Sequence, residues 1–380
     1  MSWIALRMLT GDAVKYIGMI FGVAFSTLLI AQQSSIFVGL VDRASTVVRD
    51  VQDADIWVMD PRITNVDGSW PLPSTDLYRV RGVAGVAWAV PLLKATATIN
   101  TDSGKLETAT MIGVDDASLV GLPQRIVVGS RDALKSPGAI MMDKAGYRFL
   151  FGHEPWLEGR TLELNDSRAT IVGLVDSGAL FNAQVSIFTR YSTALNFAPG
   201  GRNRMSFVLA KAAPGESPET VARRIQKTTG LKSLSSQEFA KATSDYVIGN
   251  TGIPISFGAV VFLGVVVGIV IVALTFTLFI RDNLKQFGAL KAIGVTNLNL
   301  VGMVMLQGLL VGAVGYAIGI GLAALIIQGG AANAPALRGF FMPWQVAALA
   351  AAVVAIIITI AGFSALRKVL NTDPASVFRG

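Results

Sequence analysis

The sequence predicts a membrane protein with four transmembrane α-helices and a large α+β extracytoplasmic domain inserted between helices 1 and 2. Three observations predict it. The chain of 380 residues is 52% hydrophobic and only 15% charged, and its mean hydropathy is +0.56, which is too apolar for an average soluble domain. Residues 16–40, 255–280, 301–328 and 344–366 are each long and apolar enough to cross a hydrocarbon core, which takes about 20 residues as a helix. Residues 41–254, between the first two spans, show short runs enriched in β-branched or aromatic residues between Gly, Pro and Asp punctuation.

The N-terminal segment, residues 1–15, places Trp3, Leu6 and Leu9 on one side of a helix before Gly11. That pattern suits a short amphipathic piece lying on the membrane surface, although a plain continuation of the first span fits as well. The first span is an anchor rather than a cleaved leader, because its apolar run is long and no small-residue cleavage site follows. Orientation is written in the short flanks. Arg7 and Lys15 precede span one, Arg281, Lys285 and Lys291 follow span two, and Arg367, Lys368 and Arg379 follow span four, while the connection from Gly329 to Pro343 carries only Arg338. The positive-inside rule then places both termini and the loop at residues 281–300 in the cytoplasm and residues 41–254 outside.

In the outer segment, strands are expected at Asp55 to Met59, Gly85 to Pro91, Lys94 to Asn100, Leu106 to Val114, Ala169 to Val175, Val185 to Phe188 and Met205 to Leu209. One helix is marked at both ends, by Ser217 and Pro218 at its start and Gly230 at its stop. A second begins at the capping-box pattern Ser235 to Glu238 and runs toward span two. Span one also continues past Leu40 into a helix-compatible run to Val48, so two helical stalks are expected to join domain and membrane.

No span carries Lys, Arg, Asp or Glu near its centre, where a charge costs about 2.5 to 3.5 kcal/mol. Proton relays and ion sites within the membrane therefore have no residues to build them. Gln32, Gln33 and Gln307 are polar exceptions suited to interhelical hydrogen bonds. Small residues recur four apart: Gly18 with Gly22, Gly264 with Gly268, Gly308 with Gly312, and Gly315 with Gly319. They favour close helix packing, within the chain or between subunits.

Several functions lack the residues they need. The formal charge of +7 is spread along the span flanks, with no basic and aromatic patch for nucleic acid. There are no cysteines and one histidine, His153, so a zinc site of the usual kind has no ligand set, and serines such as Ser177 and Ser186 have no histidine near them in sequence to activate a nucleophile. No G-x-x-x-x-G-K-[ST] run occurs to cradle nucleotide phosphates. Between spans two and three, Leu284, Phe287 and Leu290 fall near one helical face with Lys285 and Lys291 beside them, and Gly294 stops the helix before Thr296 or Asn297 caps the next. This short amphipathic helix is either an interfacial connector or a docking knob with Phe287 as its apolar anchor.

At these residues the chain resembles the MacB/FtsX-like permeases of ABC transporters, and within them the DevC-type exporter subunits. Lys285-Gln286-Phe287-Gly288-Ala289-Leu290-Lys291-Ala292-Ile293-Gly294 is similar to the family's segment after its second span, and the tail from Asp373 to Arg379 resembles its closing D-P-x-x-x-[LF]-R. Asp76 to Pro91 is similar to the opening of the family's periplasmic core domain. The resemblance covers nearly the whole chain. It implies that Leu284, Lys285, Gln286, Phe287, Leu290 and Lys291 dock a separate cytoplasmic ATPase, which holds the ATP and Mg while this chain binds no cofactor. Gln286 stands where the family usually has Glu, removing a charge that would pair with the ATPase. Also implied are a homodimer in the bacterial inner membrane, a periplasmic adaptor and an outer-membrane duct, and transmission of motion from ATPase to outer domain, called mechanotransmission. The alternatives are a related regulator whose outer domain activates a cell-wall hydrolase, and an ion-coupled transporter.

Overall fold

The computed structural model describes residues 3, 7, 8, 11, 13–68, 70–102, 104–152, 154–198, 204–333 and 337–370. His153, Leu6, Leu9 and the tail from Asp373 to Arg379 lie outside the described residues. In chain order the elements are α1 (Ala13–Ala44), α2 (Thr46–Asp50), β1 (Ile56–Met59), β2 (Leu72–Pro73), α3 (Ser74–Arg81), β3 (Val86–Asn100), β4 (Leu106–Val114) and β5 (Ile126–Val128). They continue with β6 (Ala139–Asp143), α4 (Lys144–Phe151), β7 (Thr161–Leu164), β8 (Ser167–Val175), β9 (Val185–Arg190), α5 (Tyr191–Phe197), β10 (Arg204–Met205) and β11 (Phe207–Ala212). Last come α6 (Pro218–Thr229), β12 (Lys232–Ser235), α7 (Ser236–Asn250), α8 (Ile253–Asp282), α9 (Leu284–Ala292), α10 (Asn297–Asn333) and α11 (Trp344–Leu370). The chain divides into two compact units, residues 40–251 and residues 1–39 with 252–380.

Residues 40–251 are built on a mixed sheet in the order β12-β1-β11-β3-β4-β9-β6-β8-β5, with β7 beside β3 and β8. The long strand β3 is the spine. Val86 to Leu92 pair with β11, whereas Leu93 to Asn100 pair with β4. The sequence suggests two strands here, Gly85 to Pro91 and Lys94 to Asn100, with proline as punctuation between them. The structure corrects that reading: the Leu92 carbonyl accepts from Ser206 N at 2.9 Å on the β11 side. The Pro91 nitrogen therefore faces the opposite edge, where the β4 ladder begins only at Leu93.

Strand β1 shows why this sheet is covered on both faces. Ile56 and Val58 pack with Val80 of α3 and Val221 and Ile225 of α6. Trp57 and Met59, pointing the other way, pack with Val47 and Val48 of α2, Phe207 of β11 and Phe239 of α7. Trp57, Phe207 and Phe239 form a ring cluster with centroids 5.2 to 5.7 Å apart. A second core, around Ile99, Met111, Ile140, Ile171 and Ile187, fills the other half of the sheet.

Local signals set the boundaries. Ser217 accepts from Thr220 N, Pro218 occupies the first turn, and Gly230 ends α6 at φ 73°. The capping box is closed on both sides, Ser235 accepting from Glu238 N and the Glu238 carboxylate accepting from Ser235 N. Asn165 and Asp166 both have positive φ, 46° and 63°, in the two-residue turn joining β7 to β8. The helical run predicted past Leu40 breaks at Ser45, between α1 and α2. The second stalk is interrupted as well: Thr251 is extended, at φ −119° and ψ 159°, between α7 and α8.

The other unit contains α1, α8, α10 and α11, four helices long and apolar enough to cross a membrane among the described residues. Their shared core includes Met19 and Val23 of α1, Val272 and Phe276 of α8, Val304 and Val311 of α10, and Ile357 and Ala361 of α11. The remaining faces expose large apolar side chains such as Phe21, Phe262, Leu309 and Phe363, as expected where lipid is the solvent.

Candidate functional site: the loop between the second and third spans

The loop begins where α8 runs out of apolar sequence at Arg281-Asp282. Asn283 caps it, its Nδ2 donating to the Phe279 carbonyl at 2.8 Å, and its own carbonyl accepts from Phe287 N as α9 starts. Gly294, at φ 97°, turns the chain out of α9 in a conformation that a side chain disfavours. Thr296 then caps α10, its Oγ1 accepting from Asn299 N at 3.4 Å. At the loop's base Lys15 of α1 is ion-paired with Asp282.

The predicted amphipathic face is present and points inward. Phe287 is 2% exposed, in a cluster with Phe279, Ile280, Leu300 and Met303, and Leu284 and Leu290 pack against the same cluster. Phe287 is therefore not a surface anchor, because burying its ring against the spans is what holds α9 to the bundle. Lys285 and Gln286 face outward and Lys291 is half-exposed. The residues that project are ones sequence reasoning missed: Ile293 is 82% exposed and Leu298 80% exposed, on either side of the Gly294 turn. The signal was available, since apolar side chains flanking a turn glycine have little local structure to bury them.

The eight glycines sit at helix crossings within this chain. A Cβ on Gly22 would lie 2.5 Å from Ile271, and one on Gly264 3.3 Å from Leu29, both between α1 and α8. Gly18 is looser there, with Thr275 at 3.8 Å, whereas Gly268 leaves only 2.5 Å to Ser26 Oγ. Gly308 and Gly312 of α10 receive Ile358 of α11, at 2.7 and 2.0 Å from the Cβ each lacks. Gly315 and Gly319 face Val23, Ala24 and Thr27 of α1, including the Ala24 carbonyl at 2.5 Å. Gln307 is fully buried on α10.

Four helices long and apolar enough to cross a membrane, an α+β domain after the first and a structured loop after the second define a multi-span membrane protein. Residues 16–228 match the MacB-like periplasmic core domain, and residues 258–374 match the FtsX-like permease C-terminal domain. The chain belongs to the MacB/FtsX-like family of ABC transporter permeases. It is 24% identical over 313 residues to an uncharacterized ABC transporter permease of Mycobacterium tuberculosis, a match covering 82% of this chain and 80% of that protein. It is also 24% identical over 214 residues to the macrolide export ATP-binding/permease protein MacB of Aggregatibacter actinomycetemcomitans, covering 54% of this chain and 33% of that protein. Among solved structures, the periplasmic region of MacB from Actinobacillus actinomycetemcomitans is similar at 15% identity and TM-score 0.37, over 54% of this chain and 96% of that one. The extracellular domain of the ABC-type transporter YknZ from Gram-positive bacteria is similar at 14% identity and TM-score 0.36, over 48% and 98%.

Proposed function

We propose that this chain is the permease subunit of an exporter, powered by a separate cytoplasmic ATPase whose motion it passes through its helices to the outer domain. Membership of an ABC permease family implies an ATPase partner. The observation that carries the reading further is the apolar tip at Ile293 and Leu298, exposed on either side of the turn between α9, which Phe287 fixes to the bundle, and the start of α10. A tip so held moves with the spans, and two exposed aliphatic side chains suit an apolar cleft on a protein surface. Arg281, Lys285 and Lys291 in the same loop favour an acidic rim, and Gln286 leaves shape to contribute more than an ion pair.

Both termini and the loop face the cytoplasm in this reading, in the inner membrane of a bacterium. The spans offer no charged route for a polar cargo, so cargo is handled by the outer domain of a homodimer together with a periplasmic adaptor and an outer-membrane duct. The test is co-purification of the full chain with its ATP-binding subunit. The double variant Ile293→Asp/Leu298→Asp loses the complex and the stimulated ATP hydrolysis while melting like the parent chain, since both positions are exposed. Intact complex and unchanged turnover would remove the tip as the docking element.

A further inference from the structure

A cavity of about 550 Å³ opens where α1 begins and α8 ends, lined by Trp3, Arg7, Lys15, Asp282, Asn283 and Gln286 among others. Its size falls within the range of about 300 to 1,000 Å³ typical of small-ligand sites. Its chemistry is divided. Arg7 and Lys15 bring two positive charges, Arg7 lying 5.3 Å from the centre of the Trp3 ring, while Asp282, Asn283 and Gln286 bring acceptors on the loop side. Lys15 and Asp282 pair with each other across it.

The surroundings name the kind of ligand. The cavity sits at the end of the apolar spans, and on another side of α1 the side chains of Val14, Ile17 and Phe21 are 82%, 63% and 64% exposed. Leu278 and Leu274 of α8 are exposed in the same way, at 50% and 60%. A net-positive cavity at the end of a span whose Leu278 and Leu274, one and two turns before Asp282, are exposed suits a phospholipid, its headgroup at the charges and its acyl chains along the span. An indole and basic side chains at that level are the groups that hold the membrane interface.

We infer that this cavity binds the headgroup of a phospholipid that carries its own hydrogen-bond donor, an ethanolamine ammonium or a glycerol hydroxyl. The phosphate is received by Arg7 and Lys15, and the donor by Asp282 and Gln286. A trimethylammonium headgroup has no N–H for the loop acceptors and fits less well. Because Asn283 and Gln286 belong to the cap and first turn of α9, the bound lipid ties the loop to the membrane surface.

The experiment uses the full chain, stripped of lipid in detergent, with Trp3 emission isolated as the difference between the parent and Trp3→Phe. Dihexanoyl phosphatidylethanolamine, phosphatidylglycerol and phosphatidylcholine, and inorganic phosphate, are titrated in parallel. The expected result is a saturable change with the ethanolamine and glycerol lipids, about fivefold weaker binding of the choline lipid, and no response to phosphate alone in the same range. Arg7→Gln weakens the two protic lipids about tenfold, as loss of one charge-assisted hydrogen bond does. Lys15→Gln is the second variant should Arg7→Gln fail to fold, and weakens them likewise. Equal binding of the choline lipid, an equal response to inorganic phosphate, or wild-type affinity in both folded variants overturns the proposal.

Discussion

The Ser26 hydroxyl of α1 donates a 2.8 Å hydrogen bond to the Gly264 carbonyl of α8, and Ser26 is fully buried. A serine here fits only because Gly268, one turn further along α8, has no side chain: a Cβ there would stand 2.5 Å from Ser26 Oγ. The small residues of this crossing thus act together, one donating a bond and its neighbour leaving room for the donor. Within a membrane such a bond contributes about 0.6 kcal/mol on average and up to about 1.7.

Two substitutions separate these roles. Ser26→Ala is expected to lower stability by about 1 kcal/mol with little change in structure. Gly268→Val drives a branched side chain into Ser26 and Ile357, which lies 3.1 Å from the missing Cβ, and is expected to cost about 1 to 3 kcal/mol. Reversible unfolding in mixed micelles measures both, and a Gly268→Val chain as stable as the parent would mean that α1 and α8 do not cross there.

In the outer domain, α7 is held by its cap and by one ring. Phe239→Ala empties a fully buried site against Trp57 and Phe207 and is expected to cost about 3 to 5 kcal/mol. Ser235→Ala removes the cap that accepts from Glu238 N, at about 1 kcal/mol. Thermal unfolding of the full chain followed by circular dichroism gives the order, and a Ser235→Ala loss as large as that of Phe239→Ala would contradict it.

The Asp60 carboxylate accepts from Arg62 Nε and Nη2, each at 2.8 Å, and the guanidinium stacks 3.8 Å from the centre of the Trp70 ring. These side-chain hydrogen bonds hold Asp60 below its ordinary value of 3.8. A carboxyl depressed by folding contributes stability that is present above the unfolded value and is lost as pH falls through the folded one. Acid titration of melting is therefore expected to show a decline below about pH 4 that is smaller in Asp60→Asn, and identical acid profiles would dismiss the pair as a contributor.

The bundle and the strongest outer elements were legible in the sequence because long apolar runs and closed caps are local signals. Leu106 to Val114 and the helices starting after Ser217 and Ser235 needed no tertiary context. Strands β2, β5, β6, β7 and β12 were not legible, being two to five residues long and stabilised by neighbours distant in sequence. The reading of Pro91 as a strand end failed because only pairing shows which edge a proline faces. In the loop, the spacing of Leu284, Phe287 and Leu290 identified a buried face but not what buries it. The cluster around Phe279 supplies that answer, and it moves the projecting role to Ile293 and Leu298.

The proposed passage of motion from a cytoplasmic ATPase to the outer domain can be measured directly, because the chain lacks cysteine. Leu157, 58% exposed in the outer domain, is replaced by Cys and spin-labelled in the proposed dimer assembled with the proposed ATPase. The distance between the two labels is then measured without nucleotide, with a non-hydrolysable ATP analogue and during turnover. A nucleotide-dependent shift in that distance is expected, abolished when Ile293→Asp/Leu298→Asp is added. A distance that stays fixed in every state while the complex hydrolyses ATP at its full rate would contradict it.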